Sequence, residues 1–178
     1  MKINLFFLIS LLMAQAVCAE QRLWDIRPGI SCDKIPEIEI RLGSHKLAVD
    51  EATGISKYTG TQEGEKATIE YHCDKERMAE QKIIVTATTW DAAYKFANEQ
   101  KTVLSKRLGD PIHDGLSLGT WQKLFFGFTG ADLDYLTLVI VWGRAEEDVM
   151  LLIRETGTNL WEITISQGSS KIEYILNS

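Results

Sequence analysis

The amino-terminal segment determines where this chain folds, and therefore which covalent links its fold can use. It has one lysine, Lys2, an apolar run over residues 3–13, and small residues at its end, with Val17 and Ala19 at the positions of an A-x-A-like cleavage site. This pattern is typical of a secretory signal peptide. The run is shorter than the roughly 18 apolar residues of a membrane-spanning helix. We therefore expect a signal peptide over residues 1–19, cleavage after Ala19, no membrane span, and a periplasmic or secreted protein.

A second interpretation of the same segment makes Cys18 the lipid-bearing first residue of a bacterial lipoprotein. Gln15 and Val17 stand where such a signal usually has Leu and Gly or Ala. Plain cleavage after Ala19 fits these residues better, so a lipid anchor at Cys18 is kept as the alternative.

Cleavage after Ala19 leaves two of the three cysteines, Cys32 and Cys73. An even pair in an oxidising compartment predicts a disulfide. The bond would close a loop of about 40 residues, which stabilises a fold by roughly 4 kcal/mol in the chain-entropy model. Two separate buried thiols are the alternative. A thioredoxin-like redox role lacks support, because the sequence has no C-x-x-C motif to lower a thiol pKa.

The charge of the chain favours some partners over others. The whole sequence has a formal net charge of −6, and loss of Lys2 makes the mature chain one unit more negative. Such a surface repels nucleic-acid phosphates and anionic lipid, so neither is an expected partner. It would steer a basic protein toward it. The alternative is that the negative charge only keeps the protein soluble and has no partner.

Two segments have the spacing of amphipathic helices, and each ends at a glycine. The first covers residues 31–42 and is followed by Gly43, which suits the left-handed conformation after a helix. The second covers residues 91–108, with Asp91 as its N-cap and Gly109 after its last turn. The apolar face of the first helix consists of Ile35, Ile38 and Leu42.

The other segments predict antiparallel sheet. Residues 67–73 alternate between apolar and polar side chains, and residues 81–90 are rich in β-branched residues. Five short segments follow the second helix, separated by turn residues as in a meander: 120–128, 133–144, 148–155, 160–166 and 171–176. The predicted fold class is α+β, with helices on one face of an antiparallel sheet. A single unit, 20–178, would contain two helix-then-sheet halves of about 20–90 and 91–178.

The two helix ends, "IRPGISCDKIPEIEIRLGS" at 26–44 and "LSKRLGDP" at 104–111 followed by Trp121, carry a family resemblance. This organisation resembles small bacterial envelope proteins of the BamE/SmpA type and proteins of the two-repeat β-lactamase-inhibitor type. In both, a helix with such a stop precedes antiparallel sheet. The resemblance implies a binding or inhibitory role in the cell envelope and supplies no catalytic residue.

One motif points toward an enzyme. The stretch "GLSLG", Gly115–Gly119, fits G-x-S-x-G with Ser117 as nucleophile. In hydrolases that motif needs a strand-to-helix turn that lifts the serine above the sheet. Here the pattern predicts a helix, a loop and then a strand, and no histidine follows His113 in the chain. We therefore interpret Ser117 as part of an ordinary loop and predict no catalytic residue. A small secreted hydrolase or carbohydrate-acting enzyme is the alternative.

Metal binding has little support in the sequence. His45, His72 and His113 are far apart, and no cysteine cluster accompanies them. Asp132 and Asp134 lack the other oxygen ligands and the glycine of a calcium loop. We expect neither a metal nor a cofactor.

The strongest functional pattern is an excess of apolar residues on two late strands, which are apolar on both faces although a one-sided sheet should have a polar second face. The second face carries Tyr135, Val139, Val141, Met150 and Leu152. Either another layer of the domain covers it, or it binds a partner protein or a second copy of the chain. The sequence thus favours a non-enzymatic module that binds a protein, as an inhibitor, an immunity factor or an envelope-assembly accessory.

Overall fold

The computed structural model describes residues 22–23, 25–50, 52–119, 138–143, 148–157 and 159–168. The predicted signal peptide, with Cys18 and Ala19, lies outside these residues, as do the predicted strands 120–128 and 171–176. The described part of the chain has a mixed α+β fold that is dominated by one sheet.

The helices and strands have the following bounds. The helices are α1 (Ile35–Arg41) and α2 (Trp90–Leu108), and short 3-10 turns lie at Cys32–Lys34 and Gly115–Ser117. The strands are β1 (His45–Asp50), β2 (Ile55–Gln62), β3 (Glu65–Asp74), β4 (Arg77–Ala87), β5 (His113–Asp114), β6 (Val139–Trp142), β7 (Val149–Gly157) and β8 (Leu160–Gln167).

The eight strands form a single antiparallel sheet in the order β1-β2-β3-β4-β8-β7-β6-β5. Strands that follow one another in the chain are neighbours, except at the centre, where β4 pairs with β8. That pairing runs from Gln81 opposite Gln167 to Ala87 opposite Trp161. The sheet therefore consists of two meanders joined by one long strand pair.

One face of the four central strands forms the hydrophobic core. Residues at alternate positions are at most 2% exposed: Ala67, Ile69, Tyr71, Ile83, Val85, Leu151, Ile153, Ile163 and Ile165. Helix α2 packs into this cluster through Ala93, Phe96, Ala97, Leu104 and Leu108, and α1 contributes Ile35. Because side chains alternate along a strand, the intervening residues project from the other side of the sheet, which we call the outer face.

Both helices end at a glycine, as predicted. Gly43 has a φ of 78° and Gly109 a φ of 84°. Residues with a side chain rarely adopt these values, whereas glycine does so readily.

The start of α2 differs from the prediction. Thr89, not Asp91, is its N-cap, and the Thr89 side chain accepts a hydrogen bond of 3.2 Å from the backbone N–H of Ala92. Strand β4 ends at Ala87 rather than at residue 90. Asp91 lies in the first turn, where a carboxylate interacts favourably with the helix dipole.

Cys32 and Cys73 are joined in a disulfide with their Cα atoms 6.4 Å apart, in agreement with the predicted pairing. The bond links the turn before α1 to the end of β3. Backbone pairing surrounds it, since Cys32 N–H donates to the carbonyl of Glu76 at 2.9 Å and Ser31 forms a β-bridge with Arg77.

A buried polar network ties the amino-terminal segment to the sheet. Arg22 Nε donates to Glu39 Oε1 at 2.9 Å, and Arg22 Nη2 donates to Ser44 Oγ at the same distance. The Tyr71 hydroxyl donates to the same Glu39 oxygen, and the Gln81 amide donates to the Tyr71 hydroxyl at 3.1 Å. Burial, and next the Glu39 carboxylate, raise the pKa of Tyr71 far above its ordinary value, so this hydroxyl stays a donor.

Strand β2 passes close to this network at Gly60. A Cβ atom there would lie 2.5 Å from Ser44 Oγ and 3.2 Å from Arg22 Nη2. Glycine is therefore required at this position to leave room for the arginine and its partners.

We predict that replacing both disulfide cysteines, Cys32→Ser with Cys73→Ser, lowers the free energy of unfolding by about 4 kcal/mol, because the unfolded chain loses a loop closure. Guanidinium chloride unfolding of the mature protein measures this change. The parent protein with its disulfide reduced is the matched comparison and should show the same loss. A loss of under about 1 kcal/mol in the double variant would contradict the entropic argument.

We also predict that Glu39→Leu destabilises the fold by about 3–5 kcal/mol, because it leaves the Arg22 guanidinium buried without its carboxylate. Adding Arg22→Met should recover part of that loss, since no buried charge then remains unpaired. Urea unfolding of the two single variants and the double variant forms a complete cycle. Strictly additive losses would show that the two residues do not act as a pair.

Candidate binding face

A groove of about 420 Å³ crosses the outer face of the sheet over β3, β4, β8 and β7. Its lining residues are Glu70, Glu80, Lys82, Ile84, Met150, Leu152, Arg154, Glu162, Thr164 and Ser166. All of them occupy the alternate strand positions whose side chains do not enter the core. The groove therefore arises from the same alternation that builds the core on the opposite face.

Strand register places hydroxyl groups along the middle of the groove. On one side of β8, Lys82 is opposite Ser166 and Ile84 is opposite Thr164. On the other side, β7 puts Met150 opposite Ser166 and Leu152 opposite Thr164. The central strand is thus flanked by side chains from both meanders, and neither meander alone contains the groove.

The β7 side of the groove is apolar. Met150 and Leu152 are half-buried and pack against Val139 and Val141, which are 0% exposed. Of the five residues predicted to form a binding face, Met150 and Leu152 therefore line the groove, whereas Val139 and Val141 lie beside them on β6 and are fully buried. Tyr135 lies outside the described residues.

Charged side chains surround this apolar part. Arg154 Nη2 lies 3.1 Å from Glu162 Oε1, and Thr164 Oγ1 lies 3.2 Å from the same oxygen. Lys82 Nζ lies 3.3 Å from Glu80 Oε2. The lining residues hold three carboxylates, on Glu70, Glu80 and Glu162, against two cations. Among these lining residues alone, carboxylates therefore outnumber cations by one.

Next to the groove, Lys57 of β2 lies beside Glu70. Its Nζ is 2.6 Å from Glu70 Oε1, and the hydrogen bond to this carboxylate raises the pKa of Lys57. Lys57 consequently remains a cation at neutral pH and neutralises part of the acidic side of the groove.

A separate polar cluster contains Ser117, the serine of the G-x-S-x-G stretch. Lys101 Nζ of α2 contacts Asp114 Oδ2 at 2.5 Å and Ser117 Oγ at 2.9 Å. Burial would raise the pKa of Asp114, but hydrogen bonds from Lys101 and Ser117 outweigh it and hold that pKa below its ordinary value. The cluster borders a broad surface depression of about 650 Å³.

This cluster has the contacts of a structural link. A serine nucleophile needs a neighbouring base that takes its proton. Lys101 is a hydrogen-bond donor held against a carboxylate, and Ser117 lies in a 3-10 turn after the two residues of β5, not at the start of an α-helix. The three side chains fasten the turn 115–117 to the last part of α2.

The three histidines lie on separate strands, His45 on β1, His72 on β3 and His113 on β5. Within the described ranges, no group of three or more His, Cys, Asp or Glu side chains is arranged to hold a metal ion. Asp132 and Asp134 are outside those ranges.

Sequence reasoning missed the charged part of the groove. Glu80, Lys82 and Arg154 look in the sequence like ordinary polar residues on the solvent side of strands. Their alternation with buried neighbours indicates a common face, but only the β4–β8 register shows that β4 and β7 lie on either side of the same strand.

Comparison with protein-family models, with curated proteins and with solved structures finds no match for this chain. Among the residues described, no helix is both long enough and apolar enough to cross a membrane.

We predict that Asp114→Asn lowers stability at pH 7, because the ionised carboxylate is stabilised by its contacts with Lys101 and Ser117 only in the folded state. A lowered folded-state pKa contributes stability above the unfolded pKa of about 3.9, and this contribution is lost as the pH falls through the folded value. The difference in unfolding free energy between the variant and the parent protein should therefore shrink as the pH falls below about 4.

Unfolding free energies at pH 7, 5 and 3 measure this convergence. Asp110→Asn, which removes an exposed carboxylate from the same region, is the control. A stability difference that stays constant over the three pH values would contradict the assignment.

Proposed function

We propose that this chain is an exported, disulfide-bonded module of the bacterial periplasm that binds a protein and acts as an inhibitor, an immunity factor or an envelope-assembly accessory. Its binding face is the outer-face groove over β3, β4, β8 and β7. The disulfide between Cys32 and Cys73 fits a secreted or periplasmic location, because such bonds persist in oxidising compartments.

The proposal includes two tandem helix-then-sheet halves with their helices on one face. The order of elements supports it, since α1 precedes β1–β4 and α2 precedes β5–β8. Residues of both helices belong to the same buried cluster on the core side of the sheet. Among the described residues, both helices thus lie on the side of the sheet opposite the groove.

The observation that carries the proposal is the composition of the groove. Interfaces between proteins typically combine an apolar centre, which supplies most of the binding energy, with a polar surround. Met150, Leu152 and Ile84 provide apolar surface. Around it lie three ion pairs, Glu70 with Lys57, Glu80 with Lys82 and Glu162 with Arg154. The matching partner presents an apolar side chain, and the net charge of −6 of the whole sequence favours lysine or arginine around it.

We predict that a photo-crosslinking amino acid at Thr164, in the middle of the groove, forms one discrete adduct with a periplasmic protein in living cells. The same amino acid at Lys95, whose side chain is 79% exposed on α2, should form none. Mass spectrometry of the adduct identifies the crosslinked peptide, which should be rich in lysine or arginine.

Charge reversal makes this experiment specific to the groove. Glu80→Lys should reduce the adduct several-fold, because it replaces an attractive charge with a repulsive one. Glu99→Lys on α2 is the matched control and should leave the adduct unchanged, with circular dichroism to verify that both variants fold. Equal adduct formation at positions 164 and 95, or equal effects of the two charge reversals, would overturn the proposal.

A further inference from the structure

Strand β1 lies at one end of the described sheet. It pairs with β2 on one side, and no other described strand lies on its other side. All six of its residues are exposed, including the apolar side chains of Leu47 at 58% and Val49 at 48%. An exposed strand edge offers backbone N–H and C=O groups to another strand.

The sequence of β1 is complementary to itself when reversed. It reads HKLAVD, with His45 and Lys46 at its start, apolar residues in its middle and Asp50 at its end. Two copies that pair antiparallel would place the basic start of each beside the acidic end of the other. The apolar middle of each strand would meet the apolar middle of its copy.

A β-bulge determines which residues share a face. The register between β1 and β2 shifts between Lys46 and Ala48, so Leu47 is the extra residue. His45 and Asp50 lie opposite Thr59 and Ile55, which are outer-face positions of β2.

The same comparison with β2 assigns two residues of β1 to the core face. Lys46 and Val49 lie opposite Tyr58 and Ser56, which point toward the core side of β2. The bulge therefore puts His45 with Asp50 on one face and Lys46 with Val49 on the other.

These face assignments select one pairing between two copies. His45 opposite Asp50 of the second copy, and Lys46 opposite its Val49, keeps like faces together over the whole strand. In this register, the Leu47 bulge of each copy lies beside Ala48 of the other, at the two-fold axis. In this register the basic start of each copy lies beside the acidic end of the other, twice in the dimer, and this complementarity favours a second copy over an arbitrary strand.

The acidic partner in this pairing is already oriented. Asp50 Oδ1 accepts a hydrogen bond of 3.0 Å from the backbone N–H of Ala52. Hydrogen bonds from Thr53 and Ala52 lower the pKa of Asp50, so it is ionised at neutral pH.

We propose that two copies of this protein associate through β1, edge to edge and antiparallel, to form a continuous sheet of two molecules. The dimer is isologous, since the same six residues of each copy supply both sides of the contact. It uses neither the outer-face groove nor the core, so it stands independently of the proposed protein-binding function.

Sedimentation equilibrium of the mature protein, from about 1 μM to 1 mM, tests this inference over the range of weak to moderate dimer affinities. We expect the mean mass to rise from monomer toward dimer. Hydrogen exchange over the same range should show increasing protection of amides 45–50 and unchanged protection in β4 and β8.

Variants at position 45 test whether the dimer forms through β1 or through another surface. His45→Glu puts a carboxylate opposite Asp50 twice in the symmetric dimer and should raise the dissociation constant roughly tenfold, whereas His45→Lys should lower it. Ala92→Glu, which adds the same charge at an exposed position of α2, is the matched control and should leave it unchanged. A protein that stays monomeric at 1 mM, or a dimer that responds equally to His45→Glu and Ala92→Glu, would overturn the proposal.

Discussion

The pairing of β4 with β8 is the constraint on which the rest of the structure depends. It joins two meanders that would each have an open side, and it aligns Ile83 and Val85 with Ile163 and Ile165 in one core. The same pairing also determines the outer face, because residues from β4 and β7 then flank β8. Core and groove are therefore two consequences of one strand register, and a slip of one residue would exchange them.

Local patterns in the sequence were sufficient for much of the fold. Both glycine helix ends, the alternation on β3 and the cysteine pair could be read from neighbouring residues, because each reflects a local conformational preference or the redox compartment. Strands β1 and β2 could not be predicted in this way. An edge strand exposed throughout has no buried face, so β1 shows no alternation of apolar and polar residues.

The candidate binding face was only half predictable for a related reason. The excess of apolar residues on β6 and β7 identified Met150 and Leu152, but burial of Val139 and Val141 depends on tertiary contacts. The burial of Arg22 and Glu39 could not be predicted from the sequence either, since charged residues are normally expected at the surface. Their burial follows from the space that Gly60 leaves, from the Ser44 oxygen that accepts from Arg22, and from the Tyr71 hydroxyl that donates to Glu39. Once such a network is buried, removal of one partner is costly, because it leaves an uncompensated charge in the core.

If the chain is exported as proposed, the position of the disulfide bears on the order of events during that export. A chain that crosses a membrane with its amino terminus first delivers Cys32 and Cys73 to the oxidising side while β4, α2 and the whole second meander are still to come. The segment between the cysteines contains α1, β1 and β2, whose contacts are mostly local and therefore quick to form. An oxidase can thus close the loop on a half-translocated chain, and the later strands then add to a template whose ends are already covalently held.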